Sequence, residues 1–164
     1  VALLSALVAV AVFCWAEYGL GGEAITYAAL LIGAGLPGSL IQISSQMGHV
    51  GGPKRAVYCA TKHAVEGMTR ALAWELGAQQ IRVNTLCPTF IETAMTRPAL
   101  ADPEFRQFVT SRIALGRLGQ LEDIMGAVVF LASDASAMVT GSALMVDGGW
   151  TADGSWQSLR LKHR

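Results

Sequence analysis

Past residue 38 the apolar positions fall into short β-type runs separated by helical repeats. SLIQISS (39–45) is apolar and β-branched, lies between Gly38 and Gly48, and predicts a buried strand. A glycine-rich loop, GHVGGPKR, follows it. From 56 to 76, Ala60, Ala64, Val65, Met68, Ala71, Leu72 and Leu76 recur at helical spacing, with Gly77 as terminator. IRVNTLCP (81–88) reads as the next strand, ended by Pro88. Asp102, Pro103 and Glu104 make a helix start: a capping oxygen, a proline at the first position and an acid in the first turn. LEDIMGAVVFLAS (121–133) is a further helix, and SALMVDGG (142–149) a last strand closed by two glycines. Strand, helix, strand, helix, helix, strand predicts an α/β fold with a parallel sheet and right-handed crossovers. The polar tail, 153–164, is expected to fray.

The first residues do not join this pattern. VALLSALVAVAVFCWA is apolar apart from Ser5, and it is shorter than the ~20 residues a membrane-spanning helix needs. No Lys or Arg precedes Lys54, so neither a secretory leader nor a positive-inside flank is indicated. A buried helix is the expectation for 1–16, with a membrane anchor as the lesser alternative. The chain opens on Val rather than Met, which fits a fragment or an unusual start.

Composition narrows the function classes. The chain has 164 residues, 52% of them hydrophobic and 15% charged, enough for one domain with a real core. Lys plus Arg and Asp plus Glu are both 12, which gives no electrostatic drive toward nucleic acid or an anionic membrane. Cys14, Cys59 and Cys87 are odd in number and widely spaced, so neither a disulfide framework nor a metal site is expected, and the natural setting is the reducing cytoplasm.

Candidate chemistry sits where the first helix after residue 38 begins. Tyr58 and Lys62 are one helical turn apart, about 6 Å along the axis, and project side by side. A free phenol is a poor acid or base at neutral pH, and a neighbouring ammonium favours its ionised form. Ser45 stands at the carboxyl end of the preceding strand, where open α/β sheets place their ligands. Each residue alone is more often a solvated helix face or a turn hydroxyl; the combination points to chemistry.

Four stretches in order, GSLIQISSQMG, YCATKHAVEGMTRALAWEL, IRVNTLCPTFIET and VTGSALMVDGGW, resemble the short-chain dehydrogenase/reductase family. The likeness runs from 38 to 152 and corresponds to the second half of a typical member. It implies a partial doubly wound, Rossmann-like parallel sheet with flanking helices over 38–152, an apolar segment of separate character over 1–37, and the tail. It implies an NAD- or NADP-dependent oxidoreductase acting on a small-molecule carbonyl or secondary alcohol, similar to sugar and polyol dehydrogenases and 3-oxoacyl carrier protein reductases. Tyr58 would be the acid/base. Lys62 would favour its ionisation and bind the nicotinamide ribose, and Ser45 would hold the substrate oxygen. Pro88, Ile91 and Thr93 would contact the nicotinamide end. A homo-oligomer is implied by analogy with relatives. The competing expectation is a non-catalytic relative that serves as an assembly or binding partner.

Several family features are missing. No T-G-x-x-x-G-x-G turn, which would receive a pyrophosphate at a helix N-terminus, occurs in the chain. GAGLPG (33–38) has the G-x-G-x-x-G spacing but precedes a strand instead of linking a strand to a helix. The family's N-N-A-G stretch and the Asn of the following helix have no counterpart, and 1–37 shows no likeness. Thr89 stands where the family usually has Gly, which predicts strain if the backbone there has positive φ. A half sheet also exposes an unpaired strand edge unless the N-terminal segment or another chain covers it. Weak or no dinucleotide binding is therefore expected of this chain by itself.

Overall fold

The computed structural model describes residues 9–14 and 22–152. It has a parallel sheet of four strands in the order β1-β2-β3-β4: β1 (Ala9–Cys14), β2 (Gly38–Ile43), β3 (Ile81–Pro88) and β4 (Ala143–Val146). The helices are α1 (Gly22–Ala34), α2 (Ala56–Leu76), α3 (Arg97–Leu100), α4 (Pro103–Arg112) and α5 (Leu121–Ala132). The register sets Leu40 beside Val83 and Leu86 beside Leu144. The expected α/β parallel architecture holds.

Strand alternation divides the core. Leu40, Ile81 and Val83 pack with Ala28 and Leu31 of α1 and Ala73 and Leu76 of α2. Ile41 and Leu86 point the other way, against Leu131 and its neighbours on α5. A third cluster, Leu100, Val109, Ile113 and Leu118 with Phe90, Phe105 and Trp150, lies beneath the α3–α4 excursion. Both sheet faces are covered, and polar Ser39, Gln42, Asn84 and Thr85 are buried along with the apolar strand residues.

Two expectations change. Residues 9–14, read as part of a helix, form β1, which runs parallel to β2 with Ala9 opposite Gly38 and Cys14 opposite Ile43. A short uninterrupted apolar run suits a buried strand as well as a buried helix, and pairing decides between them. The N-terminal segment thus covers one edge of β2; the rest of 1–16 and the tail from 153 lie outside the described residues. Among the described residues no helix is long and apolar enough to cross a membrane.

Helix α2 also differs from its apolar pattern. Its buried residues are Lys62, Val65, Glu66, Thr69, Ala73 and Leu76, while Ala60, Ala64 and Ala71 are exposed. The face turned to the sheet is polar over its first half because the strand ends opposite it are polar too. Gly77 is the C-cap of α2 as expected, and a 3-10 turn then runs through Gln79 before Gln80, at φ 61°, makes the left-handed reversal. Asp102 caps α4 as expected, its Oδ1 accepting from the Glu104 N–H at 3.0 Å. After β4, the Asp147 carboxylate accepts from Gly149 N and from Thr151 N and Oγ1. Gly148 and Gly149 have φ of 59° and 86°, and a Cβ on them would fall 2.6 Å from Ile113 and 2.7 Å from Ala114, so this turn needs both glycines.

Candidate active site

Helix α2 returns from the carboxyl end of β2, so its first turns lie over the carboxyl ends of the strands. Lys62 is buried there, and its ammonium donates to the Ile43 carbonyl at 3.0 Å, tying α2 to the last residue of β2. The same ammonium lies 5.7 Å from the centre of the Tyr58 ring. Tyr58 is 41% exposed, which leaves its phenol open to a substrate. The pairing read from the i, i+4 spacing is therefore realised, with the cation inside and the phenol outside.

Ser45 is buried just beyond β2. Its Oγ accepts from the Met47 N–H at 3.1 Å and caps the 3-10 turn Gln46–Gly48, which packs against α2. The hydroxyl can still donate while it accepts this bond. Ser45, Tyr58 and Lys62 thus stand on neighbouring elements at one end of the sheet.

The remaining candidates occupy the next loop. Pro88 closes β3 opposite Val146. Ile91 is buried and bridges to Gly119 through the bonds Gly119 N–H to Phe90 O and Glu92 N–H to Gly119 O. Thr96, which the sequence reading did not single out, holds this loop. Its Oγ1 donates to Ile91 O at 2.6 Å and accepts from Thr93 N at 2.9 Å, and it lies 3.3 Å from Thr93 Oγ1. Thr89 is free of the strain its side chain suggested, because Lys54 and Gln80 are the non-glycine residues with positive φ among the described residues. Its Oγ1 is buried without a hydrogen-bond partner. A cleft of about 210 Å³ is lined by Thr89 and Ile91 with Val146, Gly148, Arg117 and others.

A buried polar group beneath these residues was not anticipated. Glu66 Oε2 accepts from Thr85 Oγ1 at 2.9 Å, and Oε1 accepts from the Cys87 thiol at 3.3 Å and lies 3.4 Å from His49 Nε2. Burial pushes the Cys87 thiol up to about 12; the Thr85 hydroxyl opposes the shift and the Glu66 carboxylate adds to it. A signal for this group existed. Tyr58, Lys62 and Glu66 repeat at i, i+4 and i+8, and alternation along IRVNTLCP puts Thr85 and Cys87 on one face.

The arrangement suits the nicotinamide end of a dinucleotide. Lys62 and Tyr58 offer a cation and a phenol, the Ile91 N–H has no backbone acceptor among the described residues, and the Thr89 hydroxyl is unpartnered. Among the described residues GAGLPG does not supply a cradle for the pyrophosphate. GAGLPG forms the turn from α1 into β2, with Gly35 at φ 63°, and so lacks the strand-to-helix context an anion site requires.

Known proteins share this fold and these stretches of sequence. Residues 23–151 match the family described as Enoyl-(Acyl carrier protein) reductase, so the likeness reaches back into α1, ahead of residue 38. The chain is 43% identical over 120 residues to D-erythrulose reductase of Gallus gallus, covering 73% of this chain and 49% of that protein. It is 40% identical over 122 residues to L-xylulose reductase of Homo sapiens, covering 74% and 50%. Among solved structures, a putative 2-deoxy-d-gluconate 3-dehydrogenase from Agrobacterium tumefaciens with bound NADP superposes with a TM-score of 0.77 at 41% identity, covering 79% of this chain and 53% of that one. The chain spans about half the length of the curated relatives it matches. Fold, motif order and these matches agree that the chain belongs to the short-chain dehydrogenase/reductase family.

Proposed function

We infer that the chain is the catalytic half of an NAD(P)-dependent oxidoreductase that reduces a small polyhydroxy ketone, or oxidises the matching alcohol. The observation that carries this reading is the Lys62 ammonium, buried, bonded to Ile43 O and 5.7 Å from the centre of an exposed phenol ring. An ammonium beside a phenol favours ionisation and suits it to proton transfer near neutral pH. In reduction Tyr58 gives its proton to the carbonyl oxygen, and Ser45 donates a hydrogen bond to that oxygen as charge develops on it. In oxidation Tyr58 takes the proton from the alcohol. Lys62 holds the ribose hydroxyls, and Ile91 N–H and Thr93 Oγ1 hold the carboxamide. The nicotinamide, when bound, supplies or accepts the hydride. The names of the relatives, reductases of D-erythrulose and L-xylulose, support a ketose substrate.

The reading extends to a homo-oligomer in the cytoplasm. Leu121, Met125 and Val129 form an exposed apolar stripe on α5 that supports self-association, and the free thiols of Cys59 and Cys87 suit a reducing compartment. The test is NADPH and NADH oxidation with D-erythrulose and L-xylulose, with the first half of a relative supplied for the pyrophosphate. Saturable, ketone-dependent consumption is expected. A folded, dinucleotide-binding protein that consumes none would overturn the reading.

A further inference from the structure

We propose that His49, Glu66 and Cys87 form a binding site for a single divalent metal ion of zinc type, held by imidazole Nε2, carboxylate Oε1 and thiolate Sγ. The sequence hides this site, because its ligands stand 17 and 21 residues apart in the order 49, 66 and 87. The fold gathers them from three elements: the segment after the 3-10 turn, the third turn of α2 on its buried face, and the end of β3.

The distances carry the inference. Sγ lies 3.6 Å from Nε2 and 3.3 Å from Oε1, and Nε2 lies 3.4 Å from Oε1. Around a tetrahedral zinc with Zn–S near 2.3 Å and Zn–N and Zn–O near 2.1 Å, ligand atoms are separated by about 3.4 to 3.6 Å. The three donors therefore already stand close to the spacing of one tetrahedral face, and small adjustments complete it. Their chemistry matches as well: thiolate, imidazole and carboxylate together suit a borderline ion such as zinc, and their two negative charges balance it.

The surroundings are organised for the same purpose. Thr85 Oγ1 donates to Glu66 Oε2 and so turns Oε1 toward sulfur and imidazole. Glu66 and Cys87 are nearly dry, while the His49 side chain, 31% exposed, leaves a path for the ion and for a water in the fourth position. Gly48 keeps room for the carboxylate, since a Cβ there would sit 3.2 Å from Oε1 and 3.0 Å from Ser44 Oγ. Ser44 Oγ is buried beside the Cys87 thiol, where its hydroxyl can hydrogen-bond the sulfur or receive a bond from the fourth-position water.

On binding, the Cys87 S–H bond breaks and its proton passes to solvent; bonds from the ion to sulfur, nitrogen and oxygen replace bonds to water, and nothing is oxidised or reduced. The site would act as a clamp. His49 lies four residues after Ser45, Glu66 one turn after Lys62, and Cys87 directly before Pro88. One ion would pin together the three segments that carry the candidate chemistry, whether or not the chain transfers hydride.

The probe is Co2+, followed by Zn2+, added to the full chain after treatment with a chelator. One equivalent of Co2+ should give a thiolate-to-cobalt charge-transfer band and the strong visible bands of a tetrahedral site, and Zn2+ should displace it. Cys59→Ser should keep the band and Cys87→Ser should abolish it. His49→Ala, at the rim and checked for folding by circular dichroism, should weaken Co2+ at least tenfold. No charge-transfer band in the parent chain, a band that survives Cys87→Ser, or unchanged affinity in His49→Ala would each overturn the site. Any of these would leave a hydrogen-bonded cluster in its place.

Discussion

The interface between α2 and the sheet has two ends built from different materials. At the end where the strands begin, Leu40 lies beside Val83 and both are fully buried with Ile81, Ala73 and Leu76. Two residues further along the same strands, Gln42 lies beside Thr85, and the facing helix residues are Thr69, Glu66 and Lys62. Gln42 Nε2 donates to Thr69 Oγ1 at 3.1 Å, Thr85 to Glu66, and Lys62 to Ile43 O. Both ends are buried, but one excludes water with hydrocarbon while the other satisfies polar groups in pairs. The first end secures the fold by area removed from water. The second contributes little net stability per bond yet fixes the directions of its side chains. Binding and acid/base chemistry need the latter.

Substitutions at the two ends should therefore separate stability from activity. Lys62→Met retains most of the buried stem while removing the charge and the bond to Ile43 O. Turnover in the ketone assay should fall at least about 100-fold, with a far smaller change in the thermal midpoint. At the opposite end, Leu40→Ala should cost about 2–5 kcal/mol in urea denaturation. Equal loss of stability from both substitutions would mean that the two ends do not differ in kind.

A smaller effect is expected from Thr85→Val, which keeps the shape but takes the donor from Glu66 Oε2. Leaving that oxygen unpaired should cost about 1–3 kcal/mol, read from the same denaturation curves; no change would show that the polar pairs are dispensable. The smallest effect concerns the turn after β4. Burial raises the Asp147 carboxyl, but its hydrogen bonds from Thr151 and Gly149 outweigh that and hold it below the ordinary 3.8. A carboxyl lowered by folding stabilises the protein above its unfolded value, and this stabilisation is lost as pH falls through the folded one. The parent should accordingly exceed Asp147→Asn in stability at neutral pH, and the gap should close in acid below about pH 3.8. A gap that stays constant with pH would remove the carboxylate's role.

The catalytic candidates were legible because their signals are local. The Tyr58–Lys62 spacing, the Asp102-Pro103-Glu104 start and the strand IRVNTLCP depend on neighbours in sequence, and each took its expected form. What the sequence concealed depends on partners far along the chain. The run at 9–14 became a strand because β2 offered an edge. Lys62, Glu66 and Thr69 became buried because Ile43, Thr85 and Gln42 face them. An apolar count along α2 finds Val65 and Leu76, which are buried, but also Ala60, Ala64 and Ala71, which are exposed. Polar residues buried in pairs leave no periodic trace in hydrophobicity, so the helix face that matters for chemistry is the one such counting misses.

The sharpest single measurement is the initial rate of ketose-dependent NADPH oxidation by the parent and by Tyr58→Phe, both supplied with a relative's first half and matched for folding and dinucleotide binding. Phe keeps the ring beside Lys62 and removes the transferable proton, so the rate should fall by about 10²- to 10⁴-fold. Equal rates from the two proteins would contradict the assignment of that phenol as the acid/base.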